Sequence, residues 1–250
     1  MTGASSGIGE ASSRLLAQAG YRVVLVARSK EKLAAVCSDL NDRGLEAHFE
    51  AGDLSTGEVT QAIMSRIEHL LGVPNVLIHA AGAGAWKFIE ETTPDEARRM
   101  MDAPYFCAFN VTQFWMPHFL KRGSGRILFV GSPASLSPWP GATGYVAARY
   151  ALRGLNEALY QDLAGTGVTT THVVFGKVSS GYFQHNPGSE ARIPKANQLS
   201  RTIPPEECAR VIERLIDHPK REYCYPALIR WFFRFPALAR WVGRETGFRH

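Results

Sequence analysis

Ser132 and Tyr145 lie thirteen positions apart, and Arg149 follows Tyr145 by four residues. These residue types suit the interconversion of a carbonyl and an alcohol. A phenol can transfer the proton at the substrate oxygen, and a serine hydroxyl can hold that oxygen by a second hydrogen bond. An isolated phenol ionises only near pH ~10, so the chemistry needs a positive group close by. Residues i and i+4 share one face of a helix, which makes Arg149 that group.

The elements that must position these side chains follow from the hydrophobic pattern. Residues 126–131 form an apolar run typical of a buried strand, and Ser132 comes directly after it. Further strand-like runs alternate with helical patterns, which predicts βαβ units, a parallel sheet and right-handed crossovers. Clefts of such α/β sheets open at the carboxyl ends of the strands, where Ser132 is expected. The other predicted strands are Arg22–Val26, Ala47–Glu50, Asn75–His79, Thr169–Val174 and Glu222–Tyr225.

A glycine-rich turn with the pattern TGxxxGxG occupies residues 2–9, and a helical pattern runs directly on from it over Ile8–Ala19. Glycines let backbone N–H groups approach a pyrophosphate, and the helix N-terminus adds partial positive charge. A glycine triplet alone often only turns the chain, but beside Ser132 and Tyr145 it indicates a dinucleotide site. The candidate binding residues of this turn are Gly3, Ser5, Ser6, Gly7, Ile8 and Gly9.

The glycine turn and the Ser132–Tyr145 pair together resemble the short-chain dehydrogenase/reductase family, from Thr2 to about residue 226. The resemblance implies a single domain over residues 1–226 with a doubly wound, Rossmann-type parallel sheet, and NAD(P)-dependent oxidoreductase activity. The family also has a strand ahead of the glycine turn, whereas here Met1 immediately precedes Thr2. We therefore expect a truncated sequence that lacks the first strand and leaves a gap at the centre of the sheet.

The end of the second family strand bears on the choice of cofactor. Folds that bind NAD usually place a carboxylate there for the ribose 2′-OH, whereas the 2′-phosphate of NADP needs a cation. Arg28 occupies the position and no carboxylate does, which favours NADP(H) over NAD(H). The alternative is that Arg28 is only a solvated residue at a strand end. Asp53 and Leu54 match the family's pair at the adenine edge, although Asp53 could instead cap the following helix.

Two further segments match the family's cofactor-binding loops with changes. His79 and Ala80 replace both asparagines of the family's NNAG motif, and we interpret His79 as structural because no sequence partner accompanies it. Phe175 replaces the proline of the family's PGxVxT loop, which contacts the nicotinamide end. The positions that keep the family's pattern are Ala81, Gly82, Gly176, Val178 and Ser180.

Two departures concern catalysis. The family's YxxxK lysine also relays a proton, and Arg149 stands in its place; a guanidinium stays protonated and supplies only charge and hydrogen bonds. The family's catalytic asparagine aligns with Pro104, which offers no side-chain amide but would bend its helix. Asn110 is six residues away and would point elsewhere. These changes keep an alternative open, namely a catalytically silent nucleotide-binding or membrane-associated scaffold of the same fold.

The net charge lies at the C-terminal end of the chain, where we separate residues 227–250 as a basic amphipathic segment. Residues 220–250 carry seven Lys or Arg against two Glu, so they hold the whole net charge of +5. Residues 1–219 are therefore neutral, which argues against a broad nucleic-acid face. A helical period over 227–242 gives an apolar face with Leu228, Trp231, Phe232, Phe235, Leu238 and Val242, opposite Arg230, Arg234, Arg240 and Arg244. That face could meet an anionic membrane, the substrate cleft or a second subunit, the occupant we favour.

The remaining features bear on substrate and location. Trp86, Trp139, Tyr182 and Phe183 lie near segments that border the family's substrate cleft, which indicates an apolar ketone or alcohol. The four cysteines show no metal-ligand spacing, and the chain has no secretory signal, which favours the cytoplasm or peripheral attachment to a membrane. We expect a homo-oligomer with a small-molecule substrate, no nucleic-acid partner and no metal.

Overall fold

The computed structural model describes residues 1–193, 201–230 and 235–246. Their strands are all parallel, and each predicted strand is found within one residue at either end. Val, Ile, Leu and Phe dominate the buried positions of the central strands, as expected when helices cover both faces of a sheet. The strands are β1 Val23–Ala27, β2 Ala47–Ala51, β3 Val76–His79, β4 Gly125–Gly131, β5 Val168–Phe175 and β6 Glu222–Tyr225.

Helices cover both faces of this sheet, which confirms the doubly wound α/β fold. Apolar side chains of α1, α2 and α8 pack in one core layer, and those of α3, α5 and α6 pack in the other. The helices are α1 Gly7–Gln18, α2 Lys30–Asp42, α3 Gly57–Leu71, α4 Pro94–Met101, α5 Cys107–Arg122, α6 Thr143–Asp162, α7 Tyr182–His185, α8 Pro205–Asp217 and α9 Pro236–Thr246.

The sheet has the expected gap at its centre. Strands β1 and β2 form one ladder, and β3, β4, β5 and β6 form another. Met1 and Thr2 join the two ladders at the carboxyl ends, where Thr2 N donates to Ile78 O at 2.9 Å and Met1 O accepts from Val26 N at 2.9 Å. Towards the amino ends, a cavity of about 370 Å³ lies between β1 and β3. Backbone pairing between the two ladders is therefore limited to the edge from which the loops emerge.

The C-terminal segment differs from the single helix expected over 227–242. Phe235 lies in a bend, and α9 begins only at Pro236. The expectation was wrong because proline donates no backbone hydrogen bond and disfavours helical geometry at the residue before it. Trp231 and Phe232, which were expected on the apolar face, lie outside the described residues. None of the described helices is both long and apolar enough to cross a bilayer.

Candidate active site

In the glycine turn between Thr2 and α1, three glycines lie very close to neighbouring atoms. Gly3 has φ of +66°, and a Cβ on it would lie 2.6 Å from Ala81 N. A Cβ on Gly9 would lie 2.2 Å from Gly3 O, and one on Gly7, where φ is +55°, would lie 3.2 Å from Ser180 Cβ. Side chains at these positions would collide with backbone or strain it. The turn is therefore held closely against the loops that follow β3 and β5.

A cleft of about 1340 Å³ opens above this turn at the carboxyl ends of the strands. Gly9 does not line it, because it lies behind Gly3 in the turn. All the other residues proposed from sequence for catalysis or cofactor binding line this cleft, so the fold brings them together. They are Gly3, Ser5, Ser6, Gly7, Ile8, Arg28, Asp53, Leu54, Ala81, Gly82, Ser132, Tyr145, Arg149, Gly176, Val178 and Ser180.

Helix α6 carries Tyr145 and Arg149 on one face, as the four-residue spacing predicts, and both side chains are buried. The guanidinium carbon of Arg149 lies 5.0 Å from the centroid of the Tyr145 ring. A Cβ on Gly82 would lie 2.5 Å from Arg149 Nη2, so the guanidinium fills the space that this glycine leaves. Its Nη1 donates to Val130 O at 3.5 Å, while Nε has no partner among the described residues. A positive charge is thus fixed beside the phenol.

Ser132 follows β4 and caps a short 3₁₀ turn, Pro133–Ser135. Its extended backbone ends the strand, and its Oγ accepts a hydrogen bond from Ala134 N at 3.3 Å. The half-buried hydroxyl is thereby held at the wall of the same cleft that Tyr145 lines.

Aromatic side chains enclose the phenol of Tyr145. The Trp86 ring centroid lies 5.5 Å from that of Tyr145 and 5.0 Å from that of Trp139. The Tyr182 hydroxyl donates to Gly84 O, which links Tyr182 to the loop after β3. Burial raises the pKa of Tyr182, so this phenol stays neutral. Trp86, Trp139 and Tyr182 line the cleft as expected, while the side chain of Phe183 is not among the parts that the structure describes. The wall around the candidate acid is largely apolar.

Comparison with known proteins agrees with this geometry. A family model described as short chain dehydrogenase matches residues 1–190, which is most of the chain. The chain belongs to this family. A 3β-hydroxysteroid dehydrogenase from Mediterraneibacter gnavus is 33% identical over 174 residues, which span 68% of this chain and 61% of that protein.

Two solved structures extend the likeness over nearly the whole fold. A short-chain dehydrogenase from Streptomyces avermitilis is 25% identical with a TM-score of 0.83, covering 96% of this chain and 92% of that one. An alcohol dehydrogenase from the archaeon Thermococcus sibiricus, solved with 5-hydroxy-NADP, is 26% identical with a TM-score of 0.77. Its alignment covers 90% of this chain and 92% of the archaeal chain.

The residues that replace the family's polar groups have structural surroundings. Pro104 is buried in a π-helical segment, Asp102–Phe106, which joins α4 to α5, so a helix irregularity is present where the family places its asparagine. His79 is 2% exposed, and its Nε2 lies 3.0 Å from Thr112 Oγ1. Burial lowers the pKa of His79 to about 3, so the ring stays neutral. These contacts agree with the interpretation of His79 as structural.

The end of the cleft beyond the glycine turn carries Arg28 and Asp53. Arg28 is exposed, and partial burial of Asp53 opposes its ionisation, but hydrogen bonds from Ser55 and the charge of Arg28 hold the pKa of Asp53 below its usual range. Asp53 Oδ1 accepts from Ser55 N at 3.0 Å, so it closes a turn rather than capping α3, whose N-cap is Thr56. Asn110 points here, donating to Leu54 O at 2.9 Å, and not to the catalytic end.

Sequence reasoning left the position of the C-terminal segment open and missed one buried residue. Leu228, Ile229 and Val242 line the cleft, so part of this segment covers it. His172, on β5, packs against Gly131, which precedes Ser132, and no local pattern in the sequence signals this contact. Only packing of β4, β5 and β6 side by side reveals it.

Proposed function

We propose that this protein is an NADP(H)-dependent oxidoreductase that interconverts a carbonyl and an alcohol on an apolar small molecule. One observation carries the proposal: Tyr145, with the fixed charge of Arg149 5.0 Å from its ring, lines the same cleft as Ser132 and the glycine turn. Proton transfer, oxygen binding and dinucleotide binding would then occur in one enclosed space.

The shape of the glycine turn fits a dinucleotide. At Gly3, Gly7 and Gly9 the backbone lies so close to its neighbours that a Cβ would clash or be strained, and α1 begins directly there with its N-terminus at the cleft. This turn would hold the pyrophosphate, and Arg28 would contact the 2′-phosphate. When bound, the cofactor supplies or accepts the hydride. The residues proposed for the adenine edge are Asp53 and Leu54, and those for the nicotinamide end are Ala81, Gly82, Gly176, Val178 and Ser180.

The side chains divide the remaining chemistry. Tyr145 gives its phenolic proton to the forming alkoxide in reduction and takes it back in oxidation. Arg149 stabilises the negative charge left on the phenol oxygen, and Ser132 Oγ holds the substrate oxygen. Trp86 and Trp139 exclude water from this end of the cleft, which strengthens both interactions. Because a guanidinium does not release its proton, Tyr145 is reprotonated from solvent without a relay through Arg149.

The relatives support the finer parts of this proposal. One is named for a steroid alcohol, and one structural neighbour was solved with an NADP derivative. An apolar substrate agrees with the aromatic wall formed by Trp86, Trp139 and Tyr182. NADP(H) agrees with an exposed arginine at position 28 in a chain that has no carboxylate there.

The decisive experiment measures NADPH oxidation in the presence of each member of a panel of apolar ketones. The loss of nicotinamide absorbance monitors the reaction, and NADH is measured in parallel. Turnover with NADPH supports the proposal. The alternative of a catalytically silent scaffold predicts that the protein quenches or shifts NADPH fluorescence on binding, yet gives no ketone-dependent oxidation with any member of the panel.

We also propose that the protein works as a homo-oligomer in the cytoplasm. Phe106 and Phe109, at the start of α5, are each 42% exposed, and Tyr150 on α6 is 40% exposed. Burial of such side chains against a second copy would be favourable. Light scattering coupled to size exclusion measures the mass, and a monomer at micromolar concentration would contradict this assembly.

As the alternative to subunit docking, a peripheral contact with an anionic lipid surface is proposed for the C-terminal segment. Leu228, Phe235, Leu238 and Trp241 are each more than half exposed, and Arg230 and Arg244 are exposed in the same segment. Apolar insertion and attraction to anionic headgroups would add together. The protein should sediment with phosphatidylserine vesicles at low salt and be released by high salt. The substitution Trp241→Ser should weaken this binding to the vesicles. A variant that loses oligomerisation but not sedimentation would indicate subunit docking instead.

A further inference from the structure

A buried histidine lies directly behind the loop that carries Ser132. His172, on β5, is 0% exposed. A Cβ on Gly131 would lie 2.2 Å from His172 Nε2, so the imidazole occupies the space that a side chain before Ser132 would need. The His172 imidazole therefore fits at this place only because residue 131 is a glycine.

His172 reaches Ser132 through a second serine. Its Nε2 lies 3.5 Å from Ser135 Oγ, and Ser135 is itself 0% exposed. Ser135 Oγ donates to Ser132 O at 2.6 Å, and Ser135 N donates to the same carbonyl at 2.9 Å. The carbonyl of Ser132 is thus held twice by one residue, which sets the orientation of the 3₁₀ turn that follows Ser132.

An ion pair between Glu222 and Arg153 lies on the other side of the imidazole. Glu222 Oε2 lies 3.7 Å from His172 Nδ1 and 3.1 Å from Arg153 Nε. Arg153 Nη1 also donates to Ser135 O at 3.5 Å. Burial lowers the pKa of His172, although Glu222 acts in the opposite direction. The group therefore links β5, β6 and α6 to the turn after β4 without exposing a titrating charge in the cleft.

The Glu222–His172–Ser135 order resembles a hydrolytic triad, but the geometry does not support one. A nucleophilic hydroxyl must reach the substrate, whereas Ser135 is fully buried and its hydroxyl is committed to the Ser132 carbonyl. Neither Ser135 nor His172 lines the cleft described above. The arrangement can act only through Ser132.

We propose that His172 and Ser135 are positioning residues for Ser132, which fix the direction of its hydroxyl towards the substrate oxygen. The inference rests on the proposed oxidoreductase function, because it assigns Ser132 to that oxygen. A hydroxyl that is free to rotate loses orientation that must be restored in the transition state. Loss of the support should therefore lower kcat while NADPH binding is retained.

The test is a double-mutant cycle measured on the full chain with NADPH and an accepted ketone. Ser135→Ala should lower kcat about tenfold, the size expected for loss of one buried hydrogen bond, with little change in the Kd for NADPH. In a Ser132→Ala background the same change should lower kcat less than about twofold. Thr170→Val is the control, because Thr170 lies on the same strand as His172, is 3% exposed, and its Oγ1 has no partner among the described residues.

A second pair of variants separates positioning from packing. His172→Gln keeps a side chain that can hydrogen-bond to Ser135 and should retain most of the turnover, whereas His172→Leu fills the space without that contact and should behave like Ser135→Ala. Equal kcat losses from Ser135→Ala with and without Ser132, or a Leu variant as active as wild type, would overturn the positioning role. A wild-type protein that turns over no carbonyl would instead overturn the proposed function itself, and this role with it.

Discussion

The two ends of the parallel sheet are built differently, although the same strands form both. At the carboxyl ends, backbone hydrogen bonds tie β1 and β3 to the first residues of the chain: Ala4 N donates to Val26 O at 3.4 Å, and Ala80 N donates to Thr2 O at 3.3 Å. At the amino ends, the same two strands border the cavity of about 370 Å³. One end is continuous and carries the candidate site, whereas the other is open and carries none of its residues.

This difference shows that the candidate site depends on only two residues, Met1 and Thr2, at the centre of the sheet. Met1 and Thr2 are enough to align the glycine turn with the loops after β1 and β3. At the amino ends, by contrast, the cavity leaves β1 and β3 without packing contacts between them. We therefore expect substitutions of cleft residues at the carboxyl end to change activity with little change in stability, and core substitutions to cost less stability beside the cavity than at the continuous end.

The largest effect is expected from Tyr145→Phe. Removing the phenolic hydroxyl should lower kcat by about 10²–10⁴-fold, the usual contribution of a general acid, while NADPH binding and the melting temperature change little. Tyr150→Phe is the matched control on the same helix, because Tyr150 is 40% exposed. Steady-state kinetics and thermal unfolding of both variants measure the effect. A Tyr145 variant with more than a tenth of wild-type turnover would contradict the assignment.

The two ends of β1 offer a second test, because Arg28 follows its carboxyl end and Arg22 precedes its amino end. Arg28→Ser should raise the KM for NADPH about 10–100-fold, as expected for loss of a charged contact to phosphate, and leave NADH nearly unchanged. Arg22→Ser, whose guanidinium donates to Leu71 O, should change neither KM. Equal losses for NADPH and NADH in the Arg28 variant would show that this residue does not bind the 2′-phosphate.

Stability should distinguish two isoleucines of α3. Ile63 is 2% exposed and packs at the carboxyl end, where a Cβ on Gly52 would lie 2.5 Å from its Cδ1, whereas Ile67 borders the cavity. Ile63→Ala should lower the free energy of unfolding by about 2–5 kcal/mol. Ile67→Ala should cost roughly 1–2 kcal/mol less, because fewer packing contacts are lost beside an existing void. Urea denaturation compares them, and equal losses would mean that the void does not weaken the amino end.

The smallest effect concerns Arg149→Lys, which tests whether the carboxyl end has adapted to a guanidinium. We expect turnover to rise about threefold and the pH optimum to shift, because a buried ammonium can titrate and a guanidinium cannot. The Arg149 Nε without a partner in the described structure supports this direction. A pH–rate profile of both forms measures it. Unchanged or lower turnover in the lysine form would show that Gly82 and Val130 have made the site specific for arginine.

Much of the fold and site could be predicted because the signals are local. Each strand is a run of consecutive apolar residues, and the four-residue spacing of Tyr145 and Arg149 sets a common helix face whatever surrounds it. Nearby backbone explains Gly3 and Gly9 of the first turn, and a positive φ explains Gly7. The apolar period over 227–242 wrongly predicted one helix, because such a period reflects only side-chain polarity. It does not include the effect of Pro236 on the backbone.

The sequence by itself therefore determined the order of strands and helices, the family, and the set of side chains available at the carboxyl edge, since each depends on neighbours along the chain. The tertiary structure alone decided the contacts between distant segments: the guanidinium of Arg149 against Gly82, the imidazole of His172 behind Gly131, and Leu228 and Val242 at the cleft. Such contacts arise when close packing forces one residue's volume into the space another leaves, and that complementarity has no periodicity to reveal it in a single sequence.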